Sequence, residues 1–262
     1  MTQLPLSGAG DEQVVDRVLK LTVAYDGTDF RGFAAQPEQR TVEGVLREAL
    51  GRVLRRDELT LTCAGRTDAG VHAWGQVVSV PVGSDDVDVE KVAYAITRQL
   101  APEVVVRDAE VVDAPFDARR DAHWRAYRYT IVNRAAPDPF LARTAWWVPE
   151  PLDLSLLRLG ADPFLGEHDF ATFCRKGPPG GTTTRRVFHA SWLDLGDGVL
   201  RFDITASAFC QRMVRSIVGT LADVGIGKIR PGEILGLLRA ADRNLKQRVG
   251  APQGLCLWEV GY

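Results

Sequence analysis

Strand-like and helix-like segments alternate along the first half of the chain, and this order limits the folds that it can adopt. Lys20–Asp26 alternates apolar and polar residues as a strand does, whereas the apolar positions after Thr41 recur at helical spacing behind a residue suited to an N-cap. Two further strand patterns, Gln76–Val82 and Val104–Val112, enclose a second helical pattern. The sequence therefore predicts a β-α-β-α-β module that ends near Pro115.

The second half indicates another module of the same layout, without a literal sequence repeat. It opens with the strand pattern Arg125–Asn133, which places Tyr127 and Tyr129 on one face. Further elements are predicted as helices over 152–165, over 209–224 and from Pro231, and as strands over 187–195, 199–206 and 255–260. The helix over 209–224 has one apolar stripe, which we expect to face the core: Phe209, Met213, Ile217 and Leu221.

Together these patterns predict an α+β protein. We expect two similar α/β modules that share a largely antiparallel, mixed central sheet, with helices packed on its outer face. The strand over 255–260 is predicted to close that sheet as its last strand. Because helices on one side leave a sheet face or an inter-domain cleft open, we expect the ligand site in such a cleft.

Length and composition exclude several classes of protein. With 262 residues, the chain is long enough for two domains with real cores. It lacks the roughly eighteen consecutive apolar residues of a membrane helix, and its start, MTQLPLSGAGDEQ, lacks the features of a secretory signal. We therefore predict a cytoplasmic protein with no membrane contact. Four scattered cysteines show no zinc-site spacing and are predicted to be free thiols: Cys63, Cys174, Cys210 and Cys256.

Basic residues are concentrated in three groups, although the formal net charge is only −2. Because local charge decides whether a surface attracts a polyanion, the low net charge does not exclude nucleic acid. Nearly all of these residues are arginines, whose planar fork suits phosphates and stacked bases, but a genome rich in arginine codons would produce the same bias. The groups are Arg119, Arg120, Arg125, Arg128 and Arg134; Arg175, Lys176, Arg185 and Arg186; and Arg212 with Arg215.

One short loop combines an arginine and an aspartate between two glycines. Arg66 and Asp68 lie between Gly65 and Gly70, just before an apolar strand. Glycines permit sharp turns and close approach of a ligand, so the carboxylate can stand out from the surface. An Asx-turn in which Asp68 caps its own backbone is the alternative. His72 could form a metal pair with Asp68, but no third ligand is nearby, and we predict no metal site.

The stretch GRTDAGVHAWGQV, which contains this loop, resembles the signature of the tRNA pseudouridine synthase A family. Other stretches agree with the family in the same order, so the resemblance spans roughly Leu19 to Tyr262. They are LTVAYDGTDFRGF, QRTVEGVL, FDAR, YRYTIVN, GEHDFATF and SAFCQRMVRSIVG.

The resemblance implies isomerisation of uridine to pseudouridine at positions 38, 39 and 40 of the tRNA anticodon stem-loop. It also implies a homodimer without a cofactor, and a catalytic cleft between the two domains. Carried over by motif, Asp68 is the catalytic carboxylate, Arg215 its partner and Arg66 the neighbouring loop arginine. Tyr127 becomes the aromatic residue of the base pocket, although from its strand pattern alone it would be a core tyrosine like Tyr129.

The expected domains follow from these assignments. Residues 1–17 are predicted to be a disordered leader, 18–116 an N-terminal α+β domain and 117–262 a C-terminal one. The N-terminal domain contains the predicted catalytic loop 63–76, hereafter the Asp68 loop.

This chain departs from the family at three positions. Gln211 and Arg212 stand where many members have histidines, and Phe33 stands where tryptophan is usual. These changes bear on tRNA choice more than on the reaction. Two other functions fit parts of the sequence. One is a tRNA-binding protein that refolds its partner without modifying it, and the other is an RNA-unrelated enzyme that uses Asp68, His72 and a metal.

Overall fold

A computed structural model describes residues 17–83, 86–113, 115–175, 181–245 and 247–262. The predicted leader lies outside these ranges except for Arg17, and so does Lys176 of the second basic group. The described residues form one ten-stranded sheet and five α-helices, which confirms the predicted α+β class. Within the same ranges, no helix has the length and apolar character needed to cross a membrane.

The predicted elements appear in the predicted order, with most bounds shifted by a few residues, and the structure adds three short strands that were not predicted: Thr62–Cys63, Trp146–Trp147 and Gly166–Asp169. The first half contains β1 (Arg17–Tyr25), α1 (Val42–Leu54), β2 (Thr62–Cys63), β3 (His72–Gly83), α2 (Val89–Leu100) and β4 (Val104–Asp113). The second half contains β5 (Trp124–Val132), β6 (Trp146–Trp147), α3 (Leu154–Ala161), β7 (Gly166–Asp169), β8 (Thr184–Asp194), β9 (Val199–Ala206), α4 (Met213–Gly225), α5 (Glu233–Ala240) and β10 (Leu255–Gly261).

The sheet is mixed and largely antiparallel, as predicted, and β10 lies in its middle. The strand order is β4-β1-β3-β10-β5-β9-β8-β7, with β2 on β3 and β6 on β5. β10 runs parallel to β3 and antiparallel to β5, so it joins the two halves of the chain. The expectation that this strand closes the sheet was therefore wrong. Periodicity reports whether a strand is buried but not which strands flank it.

Two central strands of the second half, β5 and β9, bury alternate side chains. The pattern switches between buried and partly exposed residues along the whole of β9 and along β5 up to Ile131, after which Val132 is also buried. This is the pattern of an antiparallel sheet with helices on one face. The buried face of β5 carries Tyr127, Tyr129 and Ile131, as the sequence predicted. The opposite face carries Arg128, whose guanidinium lies 3.5 Å from the ring centre of Trp258.

The start of α1 confirms the predicted cap, whereas the start of α4 corrects a prediction. The Thr41 hydroxyl accepts a hydrogen bond from the Gly44 amide at 3.2 Å. The helix predicted from Phe209 begins only at Met213, because Arg212 adopts a left-handed conformation with a φ of 67°. Phe209 therefore leaves the predicted core stripe. The other three stripe residues, Met213, Ile217 and Leu221, are fully buried.

The cysteines differ from the prediction of four free thiols. Cys174 and Cys210 are joined by a disulfide, while Cys63 and Cys256 are free. The two bonded residues are 36 positions apart, and no sequence spacing indicated the pair. Burial raises the pKa of both free thiols to about 12, so each stays protonated and unreactive near neutral pH.

Candidate active site

Buried polar side chains hold the backbone of the Asp68 loop in place. The fully buried Gln76 uses its amide to bind both the N–H and the carbonyl of Gly65, at 3.3 and 2.6 Å. The Thr67 hydroxyl is 2.8 Å from that of Tyr25. Gly70, with a φ of +76°, closes the turn in a conformation that favours glycine. These contacts fix the loop backbone, so Asp68 between them is held in one place.

The carboxylate of Asp68 faces α4 and the segment before it. Its Oδ2 accepts a hydrogen bond from Arg215 Nη1 at 3.3 Å, and its Oδ1 accepts one from Gln211 Nε2 at 3.3 Å. In this ion pair the side chain of Asp68 is 26% exposed and that of Arg215 is 15% exposed. Arg215 is anchored in turn, because its Nε donates to the carbonyl of Gly250 at 2.8 Å. The structure thus brings together the aspartate and arginine that the family resemblance paired.

Tyr127 forms an aromatic wall beside this pair. It is 8% exposed, and its ring meets that of Phe209 edge-on, with centroids 4.9 Å apart. Burial is the largest influence on its phenol and raises the pKa, so the hydroxyl stays neutral at physiological pH. Phe209, predicted to be a core residue, instead contributes to this wall. Its helical spacing concealed the role.

A cavity of about 920 Å³ connects these side chains. It reaches from the Asp68 loop to Tyr127 and the start of α4, between the two halves of the chain. A smaller cavity of about 410 Å³ adjoins it on the other side of Asp68. Arg66, which is exposed, lines both cavities. The larger space can hold a whole nucleotide.

Most of the predicted basic groups converge on these cavities. Arg128, Arg134 and Arg186 do not line either cavity. Arg128 packs on Trp258, and Arg134 pairs with Asp138 and Asp197. Further arginines line one or both cavities: Arg31, Arg119, Arg120, Arg125, Arg175, Arg185 and Arg212. The arrangement suits an extended anion next to a single carboxylate.

Two positions that depart from the family pattern touch the Asp68 loop directly. Gln211 contacts the carboxylate of Asp68, a role that sequence reasoning missed, since it related Gln211 only to tRNA choice. Phe33 is buried, and its amide donates to the carbonyl of Thr67 at 3.0 Å. The position of Gln211 four residues before Arg215, on the approach to the same helix, was the available signal.

His72 is engaged away from Asp68. Its Nδ1 accepts a hydrogen bond from the Gly27 amide at 3.0 Å, and its Nε2 lies 2.8 Å from the carbonyl of Arg143. In the part of the chain that the structure describes, no cluster of three or more histidine, cysteine or acidic side chains could hold a metal ion. The Nδ1 of His72 also lies 3.2 Å from Oδ1 of Asp26, so the imidazole joins the end of β1 to the segment between β5 and β6.

Comparison with known proteins matches both halves of the chain. A family model described as tRNA pseudouridine synthase matches residues 21–119 and 161–262. A protein of Leifsonia xyli subsp. xyli named tRNA pseudouridine synthase A is 41% identical over 262 residues, which cover 93% of this chain and 91% of the relative. Proteins of the same name from Geotalea daltonii and Bacillus subtilis are 41% and 37% identical, over 94% and 93% of this chain and 100% and 98% of theirs.

A solved structure entitled "Crystal Structure of a Cbf5-Nop10-Gar1 Complex" is a weak match. It has a TM-score of 0.33 and 12% identity, and covers 92% of this chain and 58% of that one.

Proposed function

Since this chain belongs to the tRNA pseudouridine synthase A family, an isomerase family that acts on tRNA, we propose that it converts uridine to pseudouridine at positions 38, 39 and 40 of the anticodon stem-loop. The observation that supports this most is the carboxylate of Asp68, paired with Arg215 at the edge of an arginine-lined cavity beside Tyr127. Asp68 is the proposed catalytic residue.

The reaction explains why a lone carboxylate can be enough. The N-glycosidic bond breaks, the uracil turns, and its C5 bonds to the same sugar carbon, so nothing is added or lost. A carboxylate can assist by attacking the sugar or the ring, or by removing a proton from the sugar. Each route requires a correctly placed carboxylate, and the guanidinium of Arg215 holds it at a hydrogen-bonded distance. No step requires a metal or an organic cofactor.

The decisive experiment uses an unmodified tRNA transcript with uridines in the anticodon arm. We expect the purified protein to form pseudouridine there, mapped by chemical adduct and primer extension, without loss on addition of a chelator. Binding without product would favour the tRNA-binding protein that leaves its partner unmodified. Activity that a chelator removes would favour the metal enzyme.

Tyr127 is proposed to stack on the uracil, and its substitutions separate the ring from the hydroxyl. Stacking on an aromatic ring contributes about 1–3 kcal/mol per base, so Tyr127→Ala should lower the rate by roughly 5- to 150-fold. Tyr127→Phe keeps the ring and should stay within about tenfold of the wild type. Single-turnover rates measure both. A wild-type rate for Tyr127→Ala would exclude the stacking role.

The target uridine must leave its stem to reach Asp68, and Arg66 is proposed to fill the space that it leaves. Arg66 is exposed at the mouth shared by both cavities, one residue from the buried Thr67. Arg66→Ala should therefore slow modification of a paired uridine on the order of tenfold, and that of an unpaired loop uridine far less. Two transcripts that differ only in pairing at the target test this. Equal losses on both would contradict it.

Phosphate contacts by the cavity arginines should make binding strongly salt-dependent. Each contact contributes a slope of about −0.7 to −0.9 to log K against log salt, and we expect roughly three or more. Arg185→Gln, which removes a cavity arginine, should reduce the slope by about one contact. Arg134→Gln is the matched control, because Arg134 pairs with carboxylates outside the cavity. A flat response in the wild type would exclude phosphate contacts.

Three broader features belong to the same proposal. We place the domain boundary between residues 116 and 117, in the connection from β4 to β5. We also place the protein in the cytoplasm, and we propose a homodimer, as the family resemblance implies. Sedimentation at micromolar concentration tests the last point, and a monomer there would exclude it.

A further inference from the structure

Arg125 lies beside Tyr127 and has no part in the chemistry proposed so far. It precedes Tyr127 by two residues, so both side chains lie on the same face of β5. In the sheet register it is flanked by Ala206 of β9 and Val260 of β10. Arg125 is 8% exposed and lines the larger cavity. Of the arginines that line this cavity, Arg125 is the one that the fold buries.

The guanidinium of Arg125 donates four hydrogen bonds, each to a main-chain carbonyl. Nη1 donates to Ala122 at 2.9 Å and to Ser207 at 3.1 Å. Nη2 donates to Ala64 at 3.0 Å and to Arg119 at 2.8 Å. A planar fork with several fixed donors can bridge four acceptors, whereas the three donors of a lysine cannot.

The four carbonyls belong to three segments that border the cavity. Ala64 immediately precedes Gly65 in the Asp68 loop. Ser207 begins the turn that carries Phe209 and Gln211 to α4, and residues 119 and 122 belong to the connection between the two halves of the chain. One side chain therefore sets the spacing between the carboxylate of Asp68 and the groups that face it.

Arg125 also brings a positive charge into the wall of the cavity. Among the residues that the structure describes, it forms no ion pair with a carboxylate, and burial is the main influence that lowers its pKa. A guanidinium nevertheless stays protonated at physiological pH. The four carbonyl dipoles offset part of its desolvation. Burial is the largest influence on the pKa of the Tyr127 hydroxyl, but the charge of Arg125 lowers that pKa and the opposite charge of Asp68 raises it.

The proposed reaction gives that charge a use. When the bond between C1′ and N1 of uridine breaks, its electron pair stays with the uracil, which becomes an anion. That charge is neutralised when the electron pair forms the new bond from C5 to C1′. C5 then loses its proton and N1 takes one up, so the product is neutral. A fixed cation beside the ring that stacks the base stabilises this anion more than neutral uridine.

Resting on the proposed function, we infer that Arg125 is a positioning residue for the reaction. It clamps the Asp68 loop to the two segments opposite, and its charge favours the departing uracil anion. Because the backbone occupies the four N–H donors of Nη1 and Nη2, Arg125 acts through geometry and electrostatic potential rather than by giving those donors to the substrate.

Two substitutions separate the clamp from the charge. Arg125→Lys keeps the charge but loses the fork, and should lower the single-turnover rate by about tenfold. Arg125→Gln loses both, and should lower it by about a hundredfold or more. We expect the Kd for the transcript, measured in an Asp68→Asn background to prevent turnover, to change less than about threefold in each. This division between rate and binding is what a residue needed only for folding would not produce.

Arg128→Gln is the matched control, because Arg128 lies on the same strand but on the opposite face, over Trp258. It should retain the wild-type rate. A wild-type rate in Arg125→Lys, or a loss confined to Kd, would overturn the clamp, and equal losses in the two variants would overturn the electrostatic part. If Arg125→Gln does not fold, the rate of Arg125→Lys decides alone. A wild-type protein that makes no pseudouridine would instead refute the proposed function.

Discussion

Replacing Asp68 with asparagine is expected to lower pseudouridine formation on the order of 10⁴-fold or more. The amide has nearly the same shape and can still accept hydrogen bonds through its oxygen, but it can neither attack carbon nor take up a proton. Transcript binding should stay within about threefold, because the loop is held by Gln76 and Thr67. Primer extension measures product, and filter binding measures affinity.

A matched control for this variant is Asp203→Asn. Asp203 is also partly buried, and Arg201 donates hydrogen bonds to it at 2.8 and 2.9 Å. It lies opposite Arg128 in the sheet register, on the face of β5 turned away from the cavity. Its activity should match that of the wild type. Product from Asp68→Asn at an undiminished rate would remove Asp68 from the proposed mechanism.

Replacing Arg215 with methionine should lower the rate on the order of 10²- to 10³-fold. The change removes the ion-pair partner that holds the carboxylate of Asp68 in place, as well as the bond from Nε to Gly250. Arg215→Lys restores a charge without the fork and should recover part of the rate. Single-turnover rates at saturating enzyme report the effect without a contribution from binding.

Stability measurements test the same pair independently of activity. In a double-mutant cycle of Asp68→Asn and Arg215→Met, denaturant unfolding should give a coupling free energy of about 1 kcal/mol. Water reaches both side chains, so a larger value is not expected. Additive changes in the free energy of unfolding, together with a wild-type rate for Arg215→Met, would show that the two residues are not coupled.

Local patterns predicted much of the fold because their causes lie within a few residues. The cap at Thr41 and the alternation of Arg125–Asn133 depend on neighbours in sequence, and both are confirmed. The order and type of the longer helices and strands were predicted from local patterns of the same kind. The fold class followed because alternating strands and helices leave few layer arrangements.

The residues whose roles were predicted wrongly make contacts with segments that are distant in sequence. Phe209 has the spacing of a helical core residue, but the left-handed Arg212 ends the helix before reaching it. Cys174 meets Cys210 only because two loops approach each other. In the candidate site, the resemblance supplied Asp68, Arg215, Arg66 and Tyr127. Gln211 and Arg125 were not assigned there, because their contacts cross between segments that sequence pattern cannot align.

The central position of β10 has a consequence for synthesis. The ribosome makes this strand after every other strand of the sheet, yet it supplies the pairing partner for both β3 and β5. Until it emerges, each half-sheet exposes a row of unpaired main-chain groups of the kind that recruits foreign strands. We therefore expect a nascent chain of this protein to be inactive and prone to aggregate until residues 255–261 have been added, and a chain that terminates just before them to lose the link between its two half-sheets.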